Sequence, residues 1–246
     1  MWCDAPSLTL SVVIPAYNEA ARLGATLETV AGFLAGQAWQ WEIRVVDDGS
    51  ADATAAIVRS HAARDSRVVL QAEPHRGKGG AVKAGLLAAT AQHRFICDAD
   101  LSMPIQEIRR FLPPLVAPCD VAIGTREGAG ARRIGEPLYR HLTGRLFNWL
   151  VQRLAVPGIE DSQCGFKMFT ADAVQAIFPL VSVDGWAFDV EVLAIALARQ
   201  LRIAEVPIEW HYRRESQLAV LRDGPGMFRE LLGIRRRARR GGYRRR

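Results

Sequence analysis

Asp98-Ala99-Asp100 is the sharpest chemical feature of this chain. Side chains at i and i+2 of an extended segment point the same way, so two carboxylates can face one divalent cation. Hard oxygen ligands of this kind suit Mg2+ or Mn2+, which bind through one or two carboxylates together with substrate phosphates. The same three residues also make a plain solvated turn, and their place after an apolar strand favours the metal. Gly77-Lys78-Gly79-Gly80 offers backbone N–H groups and an ammonium to a phosphate at a helix start. It is not a Walker A motif, because position 72 is Ala and Gly79 follows the lysine. A flexible turn that caps a helix is its plainer use. Asp47 and Asp48 can accept hydrogen bonds from a base or a ribose, or simply make an Asp-Gly turn. Arg126, Arg132, Arg133, Arg140 and Arg145 form a basic stretch, and arginine grips phosphate with a planar fork of donors. Arg132 and Arg145 fit a solvated helix face better. Cys164 has no histidine near it in sequence and reads as a small core residue, not a nucleophile. His75, His93 and His141 are isolated and read as peripheral.

These residues sit on an alternating pattern of elements. Leu8 to Ile14 is a β-branched apolar run that predicts a buried strand. Glu19 to Leu34 places Leu23, Leu27, Val30 and Leu34 at helical spacing. Strands follow at 42–46, 67–70 and 94–97, with helices expected at 52–62 and from about Ala81 to Thr90. Strands alternating with helices give a parallel sheet covered on both faces. The loops 15–19, 47–50 and 98–100 all follow strand ends, so they are expected to converge where ligands bind such sheets. After residue 104 the rhythm changes. A short helix at 105–112, a strand at 120–123 and a loop rich in Gly and Arg (125–135) are expected. Helices follow at 138–154, 171–177 and 188–201, then a strand at 202–208. Leu142, Leu146, Trp149, Leu150 and Leu154 fall on the apolar side of the 138–154 helix.

The length of 246 residues suits one α/β domain with an appendage. Apolar residues at 49% and charged residues at 24% are a globular balance, not a disordered one. The formal net charge is +6, yet Arg235 to Arg246 holds eight arginines and no acid, so the rest carries −2. The basic balance therefore describes a tail and not a body built for nucleic acid. Four scattered cysteines, with no CxxC pair, argue against a zinc site and do not make a disulfide scaffold. The N-terminus lacks the pattern of a signal peptide, and no apolar run is long enough to span a bilayer.

Taken together, Pro15-Ala-Tyr-Asn-Glu19, Val46-Asp-Asp-Gly-Ser50, Gly77-Lys-Gly-Gly80 and Asp98-Ala-Asp100 resemble the family 2 inverting glycosyltransferases of GT-A fold. Ser162-Gln-Cys-Gly-Phe-Lys167 and Trp186-Ala-Phe-Asp-Val-Glu191 are similar to the branch that makes dolichyl-phosphate glucose and its polyprenyl-phosphate relatives. The resemblance covers about residues 8–217. It implies a single GT-A (Rossmann-like) domain over 1–217, with a nucleotide-sugar half at about 8–104 and an acceptor half at about 105–217. Residues 218–246 are then an amphipathic segment and Arg-rich tail. By the same resemblance Pro15, Tyr17, Glu19 and one of Asp47 and Asp48 hold the donor nucleoside, and Lys78 lies near the nucleotide. Asp98 and Asp100 hold Mg2+ or Mn2+ on the donor diphosphate. Arg126 and Arg140 hold the acceptor phosphate, and Arg213 or Arg214 closes over the phosphates. Asp189 stands where relatives with hydroxyl acceptors place a base, and here it is given a positioning role. Two departures stand out: Ser102 replaces a Gln metal ligand of some mannosyltransferases, and Gln217 stands where Lys is usual.

The reaction so implied moves glucose from UDP-glucose to a polyprenyl (dolichyl or undecaprenyl) phosphate with inversion. A GDP-mannose-dependent mannosyltransferase, a transferase acting on a glycan hydroxyl, and a non-catalytic nucleotide-sugar-binding membrane scaffold are the competing expectations. Met227, Phe228, Leu231 and Leu232 fall on one side of a helix just before the eight arginines. An apolar stripe beside a basic cluster suits an anionic membrane surface. The expected place of action is the cytoplasmic face of a membrane, peripherally, with an integral membrane partner open and no specific nucleic acid.

Overall fold

The computed structural model describes residues 9–212 and 220–244, with the backbone alone at 139, 140 and 220–225. Leu8, Arg213, Arg214 and Gln217 lie outside the described residues. The first half follows the expected alternation: β1 (Thr9–Ala16), α1 (Leu23–Ala35), β2 (Gln40–Asp47), α2 (Thr54–Ala62), β3 (Val68–Ala72), α3 (Lys78–Ala88) and β4 (His93–Ile96). A 3-10 helix (Ile105–Phe111) leads to β5 (Val121–Thr125), β6 (Arg132–Ile134) and α4 (Leu138–Leu154). Then come β7 (Lys167–Thr170), α5 (Ala171–Ile177), α6 (Phe188–Ala198), β8 (Ile203–Pro207), β9 (Glu209–His211) and α7 (Val220–Arg239).

Seven strands form one sheet in the order β3-β2-β1-β4-β7-β5-β8. All neighbours are parallel except β7, which runs antiparallel to both β4 and β5. β6 and β9 pair separately as a two-stranded ribbon. The alternation along β1 divides the core: Leu10, Val12 and Ile14 pack on the face covered by α1, α2 and the 3-10 helix, whereas Val13 packs with α3, α5 and α6. Leu23, Leu27, Val30 and Leu34 of α1 are all fully buried, as their spacing predicts.

Three local differences from the expected elements have physical causes. Residues 19–22 are a turn, not the start of α1, because their backbone is tied to the next loop. Asn18 N–H donates to Ser50 Oγ at 2.9 Å, Glu19 N–H to Thr54 Oγ1 at 2.8 Å and Ala20 N–H to Asp52 at 3.1 Å. α3 begins at Lys78, since Gly77 (φ 112°) makes the sharp entry that a side chain would strain. The third is β7, which the sequence pattern did not reveal. It has four residues and opens with a lysine, yet it lies in the middle of the sheet, where Met168 pairs with Phe95 on one side and Ala122 on the other. A buried lysine is admissible there only because a carboxylate meets it: Lys167 Nζ lies 2.7 Å from Asp189 on α6.

The C-terminal segment is not a free tail. α7 turns Leu231 and Ile234 into the core against α6, Met227 is buried on the same side, and Tyr243 beyond the helix is buried as well. The expected four-residue apolar stripe is therefore divided, and only Phe228 and Leu232 remain on the surface.

Candidate active site

The carboxyl ends of β1, β2 and β4 bring the three expected loops together. They line a first cavity of about 620 Å³ walled by Pro15, Tyr17, Glu19, Asp48, His75 and Trp186. A second cavity of about 240 Å³ adjoins it, walled among others by Arg126, Arg133, Phe147, Asp189, Trp210 and Met227. Lys78, Asp98, Asp100 and Trp186 line both. The two chambers thus meet at the paired carboxylates, which follow β4 as the sequence predicted.

In the first chamber Tyr17 stacks on His75 at 4.1 Å between ring centroids, 19° from parallel. His75 stays exposed at the surface, as expected of a peripheral residue, yet it lines this chamber because the loop after β3 folds back over the end of β2. Asp48 holds it there: its carboxylate accepts from the backbone N–H groups of Arg76 and Gly77, both at 2.9 Å, and lies 2.8 Å from His75 Nδ1. Asp47 is equally buried but does not line the chamber. Its Oδ1 accepts from Ser50 N–H at 3.1 Å and closes the turn. The glycine-rich turn is likewise committed to packing. Gly79 N–H donates to Asp184 O at 2.8 Å, and a Cβ at Gly79 would lie 2.6 Å from Phe188 Cβ. Arg76 forks onto Asp184 and fastens the same two loops from outside. Of this turn, Gly77 borders the first chamber and the Lys78 side chain reaches both.

At the junction Lys78 Nζ lies 2.6 Å from Asp98 Oδ1, and Asp100 Oδ1 accepts from Ser102 N–H at 2.9 Å. The Lys78 ammonium is stabilised in its charged form: burial opposes it, but Asp98, Asp189 and Asp100 outweigh that. Burial raises Glu19, and the charges of Asp100, Asp52 and Asp98 add to it against the opposing Arg22 at 2.6 Å. An acidic cluster of this kind favours a cation. Room for the Asp98 carboxylate exists only because position 165 is glycine, where a Cβ would fall 1.9 Å from Asp98 Oδ2. Among the described residues no three His, Cys, Asp or Glu side chains gather into a complete metal cage. Two carboxylates open to a chamber nevertheless fit a Mg2+ or Mn2+ ion that takes its other ligands from a diphosphate and water.

In the second chamber Arg126 is gripped by Asp161, with Nε–Oδ2 at 2.6 Å and Nη2–Oδ1 at 2.8 Å, while its own N–H donates to Oδ2 at 3.0 Å. Its guanidinium lies 5.3 Å from the Trp210 ring centroid. Burial alone would raise the Asp161 carboxyl, but Arg126 beside it more than offsets that and holds it below the usual range. Arg133 donates to Arg126 O and pairs with Glu127 and Glu136. Asp189 is buried and paired with Lys167, and burial still raises it despite that partner and Lys78. Cys164 is buried with its thiol pushed up to about 12, chiefly by burial, which keeps it inert.

Arg140 falls in the first turn of α4, described by its backbone alone, while Arg132 and Arg145 are exposed. Arg213 and Arg214 lie outside the described residues. Trp186, Trp210, Asp161 and Lys167 were not among the residues chosen from sequence. Trp186 and Lys167 did sit inside the two quoted later stretches. Asp161 carried no signal other than being the acid just before one of them.

Residues 11–178 match Glycosyl transferase family 2. The chain is 33% identical over 256 residues to the human dolichyl-phosphate beta-glucosyltransferase, covering 98% of this chain and 79% of that one. It is 36% identical over 220 residues to a dolichyl-phosphate beta-glucosyltransferase of Trichomonas vaginalis, covering 85% of this chain and 65% of the relative's length. In structure it is similar to the glucosyl-3-phosphoglycerate synthase of Mycobacterium tuberculosis solved with Mn2+, UDP-glucose and phosphoglyceric acid. That likeness has a TM-score of 0.68, 17% identity, and covers 93% of this chain and 80% of that one. The mannosyl-3-phosphoglycerate synthase of Rubrobacter xylanophilus is similar at a TM-score of 0.68 and 21% identity, covering 97% and 77%.

Proposed function

We propose, from the premise that the chain belongs to glycosyl transferase family 2, that it transfers glucose from UDP-glucose to dolichyl or another polyprenyl phosphate with inversion at the anomeric carbon. The observation that carries this reading is the pair of chambers joined at Lys78, Asp98 and Asp100. The first, with its stacked Tyr17 and His75, suits a nucleoside. The second combines the anchored Arg126 with apolar Phe147, Met227 and Trp210, which suits a phosphate carrying a hydrocarbon chain. The names of the relatives support glucose and dolichyl phosphate.

The acceptor phosphate is ionised at neutral pH, so it attacks without a strong general base. A phosphate oxygen forms the new bond to the anomeric carbon as the bond to UDP breaks, and both electrons of that bond leave with the diphosphate. Arg126, preorganised by Asp161, holds the acceptor phosphate against the repulsion of the donor diphosphate. Lys78 supplies positive charge where the leaving group accumulates its negative charge. Asp189, neutralised by Lys167, sets the shape and charge of the wall and takes no proton from the acceptor. Asp98 and Asp100 would hold Mg2+ or Mn2+, which offsets the charge of the departing diphosphate. Arg140, Arg213 and Arg214 complete the phosphate-binding set in this reading, while Pro15, Glu19 and Asp48 shape the nucleoside end and Asp47 holds the turn that carries Asp48. Among the described residues no helix is long and apolar enough to cross a membrane. The exposed Phe228 and Leu232, next to the arginines of α7, support peripheral contact with an anionic membrane surface.

The test is transfer of labelled sugar to a polyprenyl phosphate, with UDP-glucose and GDP-mannose in parallel. A lipid-extractable glucoside is expected, lost with EDTA and in Asp100→Asn. Product from GDP-mannose alone would replace the sugar. Donor hydrolysis without any lipid product would sink the lipid-phosphate acceptor.

A further inference from the structure

The sequence pattern places Leu142, Leu146 and Trp149 on one side of α4, and such a stripe normally seeks the core. Here it does not. Leu138, Leu142, Leu146 and Trp149 are 71%, 57%, 61% and 53% exposed. At about 100° per residue they share one face, which runs about 16 Å along the helix. The opposite face of the same helix sends Phe147 and Asn148 to the second chamber. α7 packs beside α4, contributes Met227 to that chamber and leaves Phe228 and Leu232 exposed. The two helices therefore flank one chamber and carry large apolar side chains on their outer sides.

We propose that the outer face of α4, continued by Phe228 and Leu232, inserts into the interfacial layer of an anionic bilayer and sets the second chamber at headgroup depth. This rests on the polyprenyl-phosphate reading above, because an acceptor with a long hydrocarbon chain presents its phosphate at that depth. The charge pattern selects the occupant. Arg145 and Arg153 flank this face, and α4 carries no acidic residue. Arg153 lies 5.6 Å from the Trp149 ring centroid, a pairing in which an apolar ring is buried while its cation stays in the headgroups. A second copy of the chain seated on the same patch would oppose arginine to arginine, with no acid on α4 to receive either. Anionic headgroups supply the missing charge.

Flotation of the full chain with phosphatidylcholine vesicles, with and without phosphatidylglycerol, tests this. The wild type is expected to float with the anionic vesicles, and less so at high salt. Leu146→Glu/Trp149→Glu is expected to lower vesicle binding by roughly tenfold or more, with its circular dichroism and UDP-glucose binding kept. The same variant should lose transfer to a long-chain acceptor in vesicles and keep transfer to a short, water-soluble isoprenyl phosphate. Loss of vesicle binding supports the face even if neither acceptor is glycosylated, a result that would overturn the functional reading instead. Flotation of the double variant equal to wild type overturns the proposal. So does a lipid-free wild-type dimer that the variant converts to monomer.

Discussion

Asp161 shows how one buried carboxylate organises a site. It is 4% exposed and engages the Arg126 side chain and backbone together, so the Arg126 guanidinium has a fixed direction. Replacing it leaves the partly buried Arg126 guanidinium without its counter-charge. Asp161→Asn is expected to cost roughly 3–5 kcal/mol at neutral pH in denaturant unfolding. The pH dependence has a definite sign. Arg126 depresses the Asp161 carboxyl below its ordinary value despite the burial that would raise it. The group's contribution is therefore complete above the ordinary carboxylate pKa of about 3.9 and is lost as pH falls through the lower folded value. The difference in stability between wild type and Asp161→Asn should shrink below about pH 4. A difference that stays constant from pH 6 to pH 2 would show that the pair is not what the site depends on.

Among the elements, β7 departs furthest from what its residues suggest. Four residues that begin with lysine make a weak strand signal, yet β7 bridges β4 and β5 and reverses the direction of the sheet between them. Lys167 brings an ammonium into that position, and Asp189 and the Cys164 carbonyl accept from it. The pair is a matched cost: each charge is tolerable because of the other. Lys167→Met leaves Asp189 buried without its ion-pair partner, facing the more distant charge of Lys78, and is expected to destabilise by roughly 3–5 kcal/mol. Lys167→Met/Asp189→Leu should recover much of that loss in thermal unfolding, because no lone charge remains. If the double variant is as unstable as the single, packing and not charge is what Lys167 supplies.

For the whole molecule, the C-terminal helix belongs to the fold as well as to the surface. Glu191 is fully buried on α6 and accepts from Ser182 N–H (2.8 Å), Val183 N–H (2.7 Å) and Tyr243 Oη–H (2.8 Å), with Arg237 at 3.1 Å. Residues 182–186 carry Asp184, which fastens the glycine-rich turn, and Trp186, which walls both chambers. The end of the chain is thereby linked to the junction of the site through one carboxylate. Tyr243→Phe removes one of its partners and is expected to cost about 1–3 kcal/mol. Glucose transfer should fall in the same variant at temperatures well below its melting point. Unchanged transfer there would confine Tyr243 to stability.

The sequence by itself determined the parallel half of the sheet, the convergence of residues 15–19, 47–50 and 98–100, and the paired carboxylates. Local periodicity and strand-end position decide these, and both are written in consecutive residues. Only the tertiary structure decided which of two adjacent acids lines a chamber. Asp47 and Asp48 are alike in type and burial, and the loop after β3 separates their roles by binding Asp48. It also decided that the apolar face of α4 points outward while half the apolar face of α7 points in. A helical stripe records that a face is apolar, but only long-range packing supplies or withholds the surface that covers it. β7, the Asp161 clamp and the stacking of His75 on Tyr17 are long-range in the same sense. Each joins residues far apart in sequence, where no local pattern records the partner.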